Sequence, residues 1–508
     1  MAGFIELAAA APDAIAAEFP ACGITLTRGE LDRAANRAAH AYRSLGLKRG
    51  DCVALSIGNR PEFLVAMLGA QRSGLYYVLL STKLSLEDAR YILADSGAQL
   101  AVFSKESFAA SDEAALRGFA VPIYGIGLGP AFDDWTALTD TMPSGLPGDC
   151  STGAVMLYSS GTTGRPKGVR KPLRDDPVDQ LDPANVGLIM GYGLGPESSF
   201  YSPSPLYHAA PHRFVDAALA AGAKVIIPDR FDAATALGHL EHHACTHSLW
   251  VPTMFHRLLR LPEAERTGHD LSRHRHAVHG AAPCPIHVKR AMIDWWGPIL
   301  DEYYSGSEGI GSAAITSAEW LEHPGSVGQP TGCKVHILGP DGRELGTGET
   351  GDIYFESEAS FAYWNDSAKT RKATNERGWR TFGDVGHVDG DGYLYLTDRR
   401  HFTIISGGVN IYPQEIEAVM LEHEGVRDVA VIGVPDDEFG QVALAVVEPA
   451  AAGSDDLKAD LAGYVRRRLG PVKAPKRIEL IDALPRHDTG KLYKAELIER
   501  FAQPQNGK

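Results

Sequence analysis

Short apolar runs alternate with longer segments in which apolar residues recur at helical spacing. Cys52–Ser56 and Leu75–Leu80 are compact apolar runs typical of strands, whereas Pro61–Arg72 and Leu86–Ser96 carry apolar residues three or four positions apart. This order of strand and helix predicts a parallel sheet with helices on its faces. The same rhythm returns between residues 224 and 296.

The pattern changes near residue 325. Runs such as Lys334–Leu338 and Asp352–Phe355 alternate with turns rich in Gly and Asp, which predicts a small β subdomain. After Asp398, helical and strand patterns alternate again over a last unit of domain size. The chain is therefore predicted to be an α/β protein, with a large N-terminal domain of parallel sheets and flanking helices plus a β subdomain, followed by a small α+β C-terminal domain.

The length, net charge and cysteine content of the chain exclude some classes of binding partner. With 508 residues the chain is too long for one core, and its net charge of 49 − 64 = −15 disfavours nucleic acid and anionic membrane. Six scattered cysteines without a C-x-x-C pair indicate reduced thiols and a cytoplasmic protein. The first residues lack the basic segment of a signal peptide, and no uncharged apolar run reaches membrane-spanning length, so we expect no stable membrane insertion.

One segment, Tyr158 to Val169, has the chemistry of an anion-binding loop. A strand-like run precedes it, and it gathers glycines, hydroxyl residues and one lysine: Ser159, Ser160, Gly161, Thr162, Thr163, Gly164 and Lys167. Glycine lets successive backbone N–H groups converge on one anion, hydroxyls add donors, and Lys167 adds a mobile charge. Its glycine spacing differs from that of a Walker loop.

The segment resembles the signature loop of the adenylate-forming (ANL) superfamily, which includes acyl-CoA synthetases, adenylation domains of peptide synthetases, and luciferases. Further motifs of that superfamily follow in order along nearly the whole chain. The resemblance implies ATP, Mg²⁺ and CoA as cofactors, with Ser159 to Lys167 holding phosphates.

A second motif runs from Tyr303 to Gly309 after a strand-like run. The resemblance implies that Tyr304 lies against adenine, that Ser307 donates to phosphate and that Glu308 holds Mg²⁺, a cation that prefers carboxylate oxygen. Ser305 stands where the family has glycine.

A third motif, Trp379 to Asp384, resembles the ribose-binding segment, with Asp384 accepting from the ribose hydroxyls and Arg399 nearby. The pivot position that follows is usually Lys or Asp in the family, and here it is His401. The resemblance implies an N-terminal adenylation and acyl-binding domain over 1–397, a hinge at 398–402 and a mobile C-terminal domain over 403–508.

Two C-terminal motifs complete the set. Ile404 to Glu415 resembles the loop that enters the site after domain rotation, where Gly407 and Gly408 would let the pantetheine arm pass close to the backbone. Lys491, in the segment from Pro485, would bring the acyl carboxylate and the α-phosphate together by neutralising their charge.

Acyl-pocket candidates also follow from the resemblance. His208 would lie where acyl group and CoA meet, and the backbone of Gly280 and Ala281 would line the acid pocket. Phe214 and Trp250 are candidates for its wall, although apolar residues at such spacing more often fill a core.

Histidines 239, 243 and 247 are spaced four apart, which is compatible with zinc if one helix carries all three. The segment runs into a strand pattern at Ser248, however, which would break that face, so a histidine-rich chain without a metal site is the favoured interpretation.

The resemblance implies an AMP-forming acid–thiol ligase, in which Lys491, Glu308 and His208 serve catalysis. The sequence of the segment from Ile404 to Glu415 is similar to that of bacterial acyl-CoA synthetases, some of which handle bulky steroid- or terpenoid-like acids. A homodimer stays open. Three alternatives remain: a carrier protein as acceptor in trans, a partial enzyme that only thiolates a supplied acyl-AMP, and a non-catalytic binder, against which the retained charged residues argue.

Overall fold

The computed structural model describes residues 3–107, 113–159, 166–359, 361–407, 409–436, 438–451, 453–486 and 492–501. The chain forms two compact units. The first comprises Met1–Trp250, His256–His279 and Ser360–Arg371, and the second comprises Val251–Phe255, Gly280–Ala359 and Lys372–Lys508. Among the described residues, no helix combines the length and the apolar character needed to cross a membrane.

The first unit contains the predicted parallel sheets. In spatial order, the strands of one sheet are Asp133–Asp134, Ile123–Ile126, Ala98–Ser104, Cys52–Ser56, Tyr76–Leu79, Ala154–Ser159 and Lys167–Val169. All neighbours pair in parallel except the last two strands, which form an antiparallel hairpin. The central strand Cys52–Ser56 is buried along its whole length, as a sheet covered on both faces requires.

A second run of strands in the same unit is also mostly parallel. Its order is His276–His279, His247–Trp250, Ser199–Tyr201, Lys224–Ile226, Ile15–Phe19 and Ile24–Thr27. Only the last pair is antiparallel. The parallel pairing confirms the fold class predicted from the alternation of strand and helix.

Helices cover these sheets, and their ends follow local sequence rules. Arg28–Ser44 begins with a capping box formed by Thr27 and Glu30, and Leu86–Ser96 ends at Gly97 with a left-handed φ of 68°. The other helices of this unit are Phe4–Ala10, Pro61–Arg72, Glu113–Arg117, Trp135–Asp140, Pro183–Tyr192, Ala209–Ala220, Ala233–His242 and Glu263–Thr267. Two more helices, Pro252–Leu259 and Ser367–Lys372, contain a boundary between the units.

The second unit contains the predicted β subdomain, which the structure shows as an antiparallel sheet. Its strands follow the order Lys334–Leu338, Gly351–Glu356, Asp384–Val388, Leu394–Arg399, Ser326–Pro330, Ser312–Ile315 and Leu300–Ser305. Every neighbouring pair is antiparallel. Helices Ile286–Trp296 and Ser317–Glu322 accompany this sheet.

A smaller sheet forms the C-terminal part of the second unit. Its strands are Val409–Ile411, Ile404–Ser406, Gly440–Pro449 and Val426–Asp436, with Arg477–Leu480 parallel to Gly440–Pro449. Helices Pro413–Leu421, Asp455–Leu469 and Lys494–Phe501 pack around it. This α+β arrangement confirms the predicted class of the C-terminal region, whereas the predicted boundaries at 397 and 403 stay predictions.

A fully buried ion pair supports the strand that precedes the second motif. Lys289 Nζ lies 2.6 Å from a carboxylate oxygen of Glu302, and the Lys289 ammonium lies 5.0 Å from the centre of the Trp320 ring. Burial raises the pKa of Glu302, while the ammonium of Lys289 opposes that rise. Each charge therefore depends on the other for compensation away from water.

Asp398 links the strand Leu394–Arg399 to the helix Pro413–Leu421. Its carboxylate accepts from the backbone N–H of Gln414 at 3.1 Å and from that of Arg399 at 2.6 Å, and the residue is 2% exposed. Burial raises the pKa of Asp398 to about 6, helped by Glu417 and opposed by Lys494 and the two N–H donors.

The raised pKa of Asp398 predicts a pH-dependent difference in stability for the variant Asp398→Asn. The folded state holds the proton up to about pH 6, whereas the unfolded chain releases it near the ordinary value of 3.8. This residue's contribution to stability therefore falls as pH rises through that window, and the deficit is complete above about pH 6. We expect the difference in Tm, variant minus unaltered protein, to be higher at pH 7.5 than at pH 4 by roughly 2–4 °C.

Thermal unfolding followed by circular dichroism across this pH range measures the difference. Asp482→Asn, at an exposed position just after the strand Arg477–Leu480, is a control of the same chemistry. A difference in Tm that stays constant with pH for Asp398→Asn would contradict the raised pKa.

Candidate functional site

The second unit brings three predicted nucleotide-binding residues together. The Tyr304 hydroxyl donates to Asp384 Oδ2 at 2.5 Å, and Arg399 Nε lies 3.2 Å from Asp384 Oδ1. Asp384 and Arg399 face each other in the register of adjacent antiparallel strands, and Tyr304 comes from the end of Leu300–Ser305. Three separate motifs therefore meet at one carboxylate, which is 6% exposed.

The environment of Tyr304 keeps its hydroxyl protonated. Burial, together with the carboxylate of Asp384, raises the pKa of Tyr304 well above its usual value. Tyr304 is thus a neutral donor over the physiological pH range, and Asp384 accepts from it. The guanidinium of Arg399 supplies the charge that a buried carboxylate requires.

Two aromatic residues complete the surroundings of Tyr304. The ring centre of Tyr304 lies 5.8 Å from that of Phe382, edge to face, and 6.2 Å from that of Phe355. Sequence reasoning did not assign either phenylalanine to the site. Phe382 lies inside the ribose motif two residues before Asp384, which is the signal that could have identified it.

The turn after Tyr304 needs glycine because other groups approach closely. A Cβ at Gly306 would lie 2.4 Å from the Phe382 ring and 2.8 Å from Glu308 Oε2. The backbone N–H of Gly309 donates to the Gly306 carbonyl at 3.0 Å and closes the turn. Glu308 and Ser307 are both half-buried on it.

Ser305, which stands where the resemblance expects glycine, has its own partner. Its hydroxyl donates to the Gly311 carbonyl at 3.1 Å, across the start of the next strand. The substitution therefore adds a hydrogen bond within the hairpin, and the backbone of the motif keeps its turn.

The predicted acid-pocket loop also shows a close approach. A Cβ at Gly280 would lie 2.7 Å from the Tyr303 ring and 2.8 Å from the Tyr303 carbonyl oxygen, so no larger residue fits there. Ala281 has φ of 67°, a left-handed conformation that is uncommon for alanine. The structure thus gives a physical reason for small residues at both positions, and their contact with substrate stays a prediction.

The first unit contains the base of the predicted phosphate loop. Ala154–Ser159 pairs with Lys167–Val169 as an antiparallel hairpin, in which Ser159 lies opposite Lys167. The Lys167 ammonium lies 5.3 Å from the centre of the Tyr363 ring. The tip residues Ser160, Gly161, Thr162, Thr163 and Gly164 lie outside the described residues.

The three acyl-pocket side chains of the first unit occupy different environments. His208 begins the helix Ala209–Ala220, and its ring centre lies 4.7 Å from that of Tyr207. Phe214 stacks on Phe200 at 6.1 Å, and Trp250 is fully buried. Phe214 and Trp250 therefore lie in the core of the unit, and their predicted role as pocket wall stays a prediction.

The histidines with four-residue spacing do not share one helix face. The helix Ala233–His242 ends before His243, and His247 starts the strand His247–Trp250, as the sequence indicated. His243 Nδ1 pairs with Glu18 at 2.5 Å, and His247 Nε2 lies 2.8 Å from the Tyr192 carbonyl oxygen. Their environments are those of separate hydrogen-bonded side chains.

The predicted hinge and C-terminal loop are partly described. His401 lies on an exposed helical turn, Arg400–Phe402, with its ring centre 4.1 Å from that of Phe402. Gly407 has φ of 56°, and its N–H donates to the Phe439 carbonyl at 2.8 Å. Gly408 and Lys491 lie outside the described residues, and the roles of all four stay predictions.

Comparison with known proteins agrees with this geometry. The family model "AMP-binding enzyme" matches residues 4–363, and the "AMP-binding enzyme C-terminal domain" matches residues 415–491. The chain is 33% identical to feruloyl-CoA synthase of Amycolatopsis sp over 482 residues, covering 94% of each. It is 31% identical to fatty acid–[acyl-carrier-protein] ligase ScoC of Streptomyces coeruleorubidus over 502 residues, covering 94% of this chain and 92% of ScoC.

A solved structure shares the fold along the whole chain. The o-succinylbenzoate CoA synthetase MenE of Bacillus subtilis, in complex with the acyl-adenylate OSB-AMP, aligns with a TM-score of 0.81 at 26% identity and covers 97% of each chain. The described parts of the nucleotide motifs, the two family models and this likeness all agree. The chain belongs to the AMP-binding enzyme family, within the acyl-CoA ligases of the adenylate-forming superfamily.

Proposed function

We propose that the protein is an ATP-dependent acyl-CoA synthetase that converts a bulky hydrophobic carboxylic acid, ATP and CoA into acyl-CoA, AMP and pyrophosphate through an acyl-adenylate. The observation that carries this proposal is that Tyr304 and Arg399 both contact the buried carboxylate of Asp384. Family membership supports a nucleoside site at that carboxylate, and the chemistry of the flanking residues agrees with it.

The nucleoside part of ATP would bind at this cluster. Asp384 keeps lone pairs for the ribose hydroxyls, because each carboxylate oxygen can accept more than one hydrogen bond. Tyr304 and Phe382 provide aromatic surface of the kind that adenine stacks on, while Phe355, which is 1% exposed, packs beside Tyr304 in the core. The contacts of Tyr304 with adenine and of Arg399 near the ribose, which the family resemblance implies, are compatible with this arrangement.

Adenylation requires two anions to approach each other. The acid's carboxylate oxygen attacks the α-phosphorus of ATP, the bond to the β-phosphate breaks, and pyrophosphate leaves with that electron pair. Lys491 would neutralise the carboxylate and the α-phosphate, while Lys167 and the donors from Ser159 to Gly164 would hold the outer phosphates.

Glu308 fits a role as ligand of Mg²⁺. It is a half-buried carboxylate held by the tight turn at Gly306, and magnesium prefers oxygen ligands of this kind. Bound Mg²⁺ would supply positive charge to the phosphates, while Ser307 on the same turn donates a hydrogen bond to them.

Thioester formation would use the C-terminal segment. The CoA thiol attacks the carbonyl carbon of the acyl-adenylate, and AMP leaves with the electrons of the broken carbon–oxygen bond. Gly407 and Gly408 would leave room for the pantetheine arm, and His208 would shape the meeting point of thiol and acyl group. A turn of residues 403–508 about the hinge at 398–402, with His401 as pivot, would exchange Lys491 for this loop.

A small residue on the predicted acid-pocket loop supports this substrate class. Ala281 carries little side-chain volume, which favours space for a bulky acid, whereas Tyr303 already fills the space beside Gly280. Three of the relatives are named for a feruloyl group, a fatty acid and o-succinylbenzoate, all of which present apolar or aromatic surface. These features support a bulky hydrophobic acid.

One relative favours a second candidate function. ScoC is named as a fatty acid–[acyl-carrier-protein] ligase, so the acceptor thiol of this chain could belong to the phosphopantetheine of a carrier protein acting in trans. The two acceptors carry the same thiol arm. Thioester formation with free CoA, measured against formation with a phosphopantetheinylated carrier protein at equal concentration, distinguishes them.

ATP–pyrophosphate exchange without CoA tests the proposed function. The panel of acids runs from short fatty acids through hydroxycinnamic acids to polycyclic terpenoid acids. Exchange with one class establishes adenylation and identifies the acid. If no acid of the panel supports exchange, while synthetic acyl-AMP and CoA are converted to acyl-CoA, the proposal is wrong and the protein catalyses thiolation only.

Replacing Lys491 separates the two half-reactions. Because its charge is needed only while carboxylate and phosphate approach, Lys491→Ala is expected to reduce acyl-AMP formation by about 10²–10³-fold. Thiolation of supplied acyl-AMP should stay within about threefold of the unaltered enzyme. Single-turnover assays of each half-reaction measure both, and Lys458→Ala, on the helix Asp455–Leu469, offers a surface lysine of the same region for comparison. Equal loss in both half-reactions would contradict the assignment.

Asp384 and Tyr304 should differ in their effect on nucleotide binding. Asp384→Asn removes the carboxylate that accepts from the ribose, so we expect the KM for ATP to rise about tenfold or more, a loss typical of charge-assisted hydrogen bonds. Tyr304→Phe keeps the ring and loses one hydrogen bond, so a rise of roughly three- to tenfold is expected. Initial rates at saturating acid measure both values, and an unchanged KM for ATP in Asp384→Asn would refute the ribose assignment.

A further inference from the structure

Residues 363–365, which are distant in the chain, pair with the phosphate hairpin of the first unit, formed by the strands Ala154–Ser159 and Lys167–Val169. The backbone N–H of Trp364 donates to the Gly168 carbonyl at 2.8 Å, and Tyr363 forms an antiparallel bridge with Val169. Residues 363–365 therefore lie along the strand Lys167–Val169, on the side away from Ala154–Ser159.

Asp95, near the end of the helix Leu86–Ser96, accepts hydrogen bonds from the first strand of this hairpin and from residues 363–365. The Tyr158 hydroxyl donates to Asp95 Oδ2 at 2.6 Å. The Asp95 carbonyl accepts from the Trp364 indole N–H at 2.7 Å and from the Asn365 amide at 3.2 Å. One residue thus holds the first strand by its side chain and the distant segment by its backbone.

Arg170 follows the strand Lys167–Val169 directly and contacts two aromatic rings beside the hairpin. Its guanidinium carbon lies 3.7 Å from the centre of the Tyr76 ring and 4.1 Å from the centre of the Trp364 ring. Its Nη2 donates to the Gly50 carbonyl at 3.3 Å. A planar guanidinium can stack on aromatic rings in this way, whereas the compact ammonium of lysine cannot.

These contacts bear on Lys167, which lies three residues before Arg170 and would reach the phosphates of ATP. A loop rich in glycine loses much conformational freedom when it closes on an anion, and that loss weakens binding. Fixing the base of the hairpin on both edges removes part of this loss before ATP arrives. The fixed base also sets the position from which Lys167 reaches the phosphates.

We propose that Arg170, stacked between Tyr76 and Trp364, is a positioning residue that holds the base of the phosphate loop and thereby strengthens binding of the β- and γ-phosphates of ATP. The proposal rests on the proposed function, in which this hairpin holds phosphates. Arg170 acts through the strand that carries Lys167 and does not itself contact the nucleotide.

Comparison of ATP with AMP gives a readout that general loss of structure would not produce. AMP lacks the β- and γ-phosphates and would use the Asp384 cluster, so a defect at the hairpin base should weaken ATP and spare AMP. We expect the Kd of Mg·ATP to rise roughly three- to tenfold in Arg170→Gln, with a smaller rise in Arg170→Lys. The Kd of AMP should change by less than about twofold in both.

Isothermal titration of the full-length protein with Mg·ATP and with AMP measures these constants. Arg468→Gln is the matched control, because Arg468 stacks on Tyr464 at 3.7 Å on the helix Asp455–Leu469 of the second unit. Trp364→Phe keeps a ring over Arg170 and removes the indole donor, so it should raise the Kd of Mg·ATP less than Arg170→Gln does. It also carries the test if Arg170→Gln does not fold.

The outcomes separate this assignment from the proposed function. A selective rise in the Kd of Mg·ATP supports the positioning role. Equal weakening of ATP and AMP, or no change in either, overturns it. An unaltered protein that binds ATP but exchanges no pyrophosphate with any acid would overturn the proposed function and leave this comparison valid. An unaltered protein that binds no ATP would overturn both.

Discussion

A buried carboxylate must be compensated, and in this protein the compensation of Asp384 determines where the nucleotide motifs lie. Asp384 is 6% exposed and touches the Tyr304 hydroxyl and the Arg399 guanidinium. Removing a charge from water without partners costs more than most single contacts return. Contacts of Tyr304 and Arg399 with Asp384 therefore stabilise the strands that carry these three residues in their observed register.

Close backbone approach is the second constraint, and it explains the small residues around the cluster. Gly306 lies against Phe382 and Glu308, and Gly280 lies against Tyr303. A Cβ at either position would come nearer than 3 Å to a neighbouring heavy atom. Glycine is thus required for packing at the same turns on which the proposed magnesium and acid contacts depend.

Charge explains how an acidic protein can handle anionic substrates. The net charge of −15 repels phosphate in general, whereas the proposed roles of Lys167 and Lys491 would place positive charge where phosphate or carboxylate binds. Local fields at a partly buried site outweigh a diffuse surface charge, because salt screens the latter within about 8–10 Å. The overall charge thus disfavours binding of nucleic acid but is compatible with binding of a single nucleotide.

The sequence by itself determined the fold class, the α+β C-terminal region and the family, because strand and helix periods and short motifs are local properties of the chain. The end of a helix near His242 and the strand that starts at His247 were visible in the same way. Only the tertiary structure placed the Tyr304 hydroxyl on Asp384, brought Phe355 to the site, buried Phe214 and Trp250 in the core, and joined Asp95, Arg170 and Trp364 at the phosphate hairpin. These contacts join residues far apart in the chain, and they depend on strand register and side-chain packing, which no local pattern encodes.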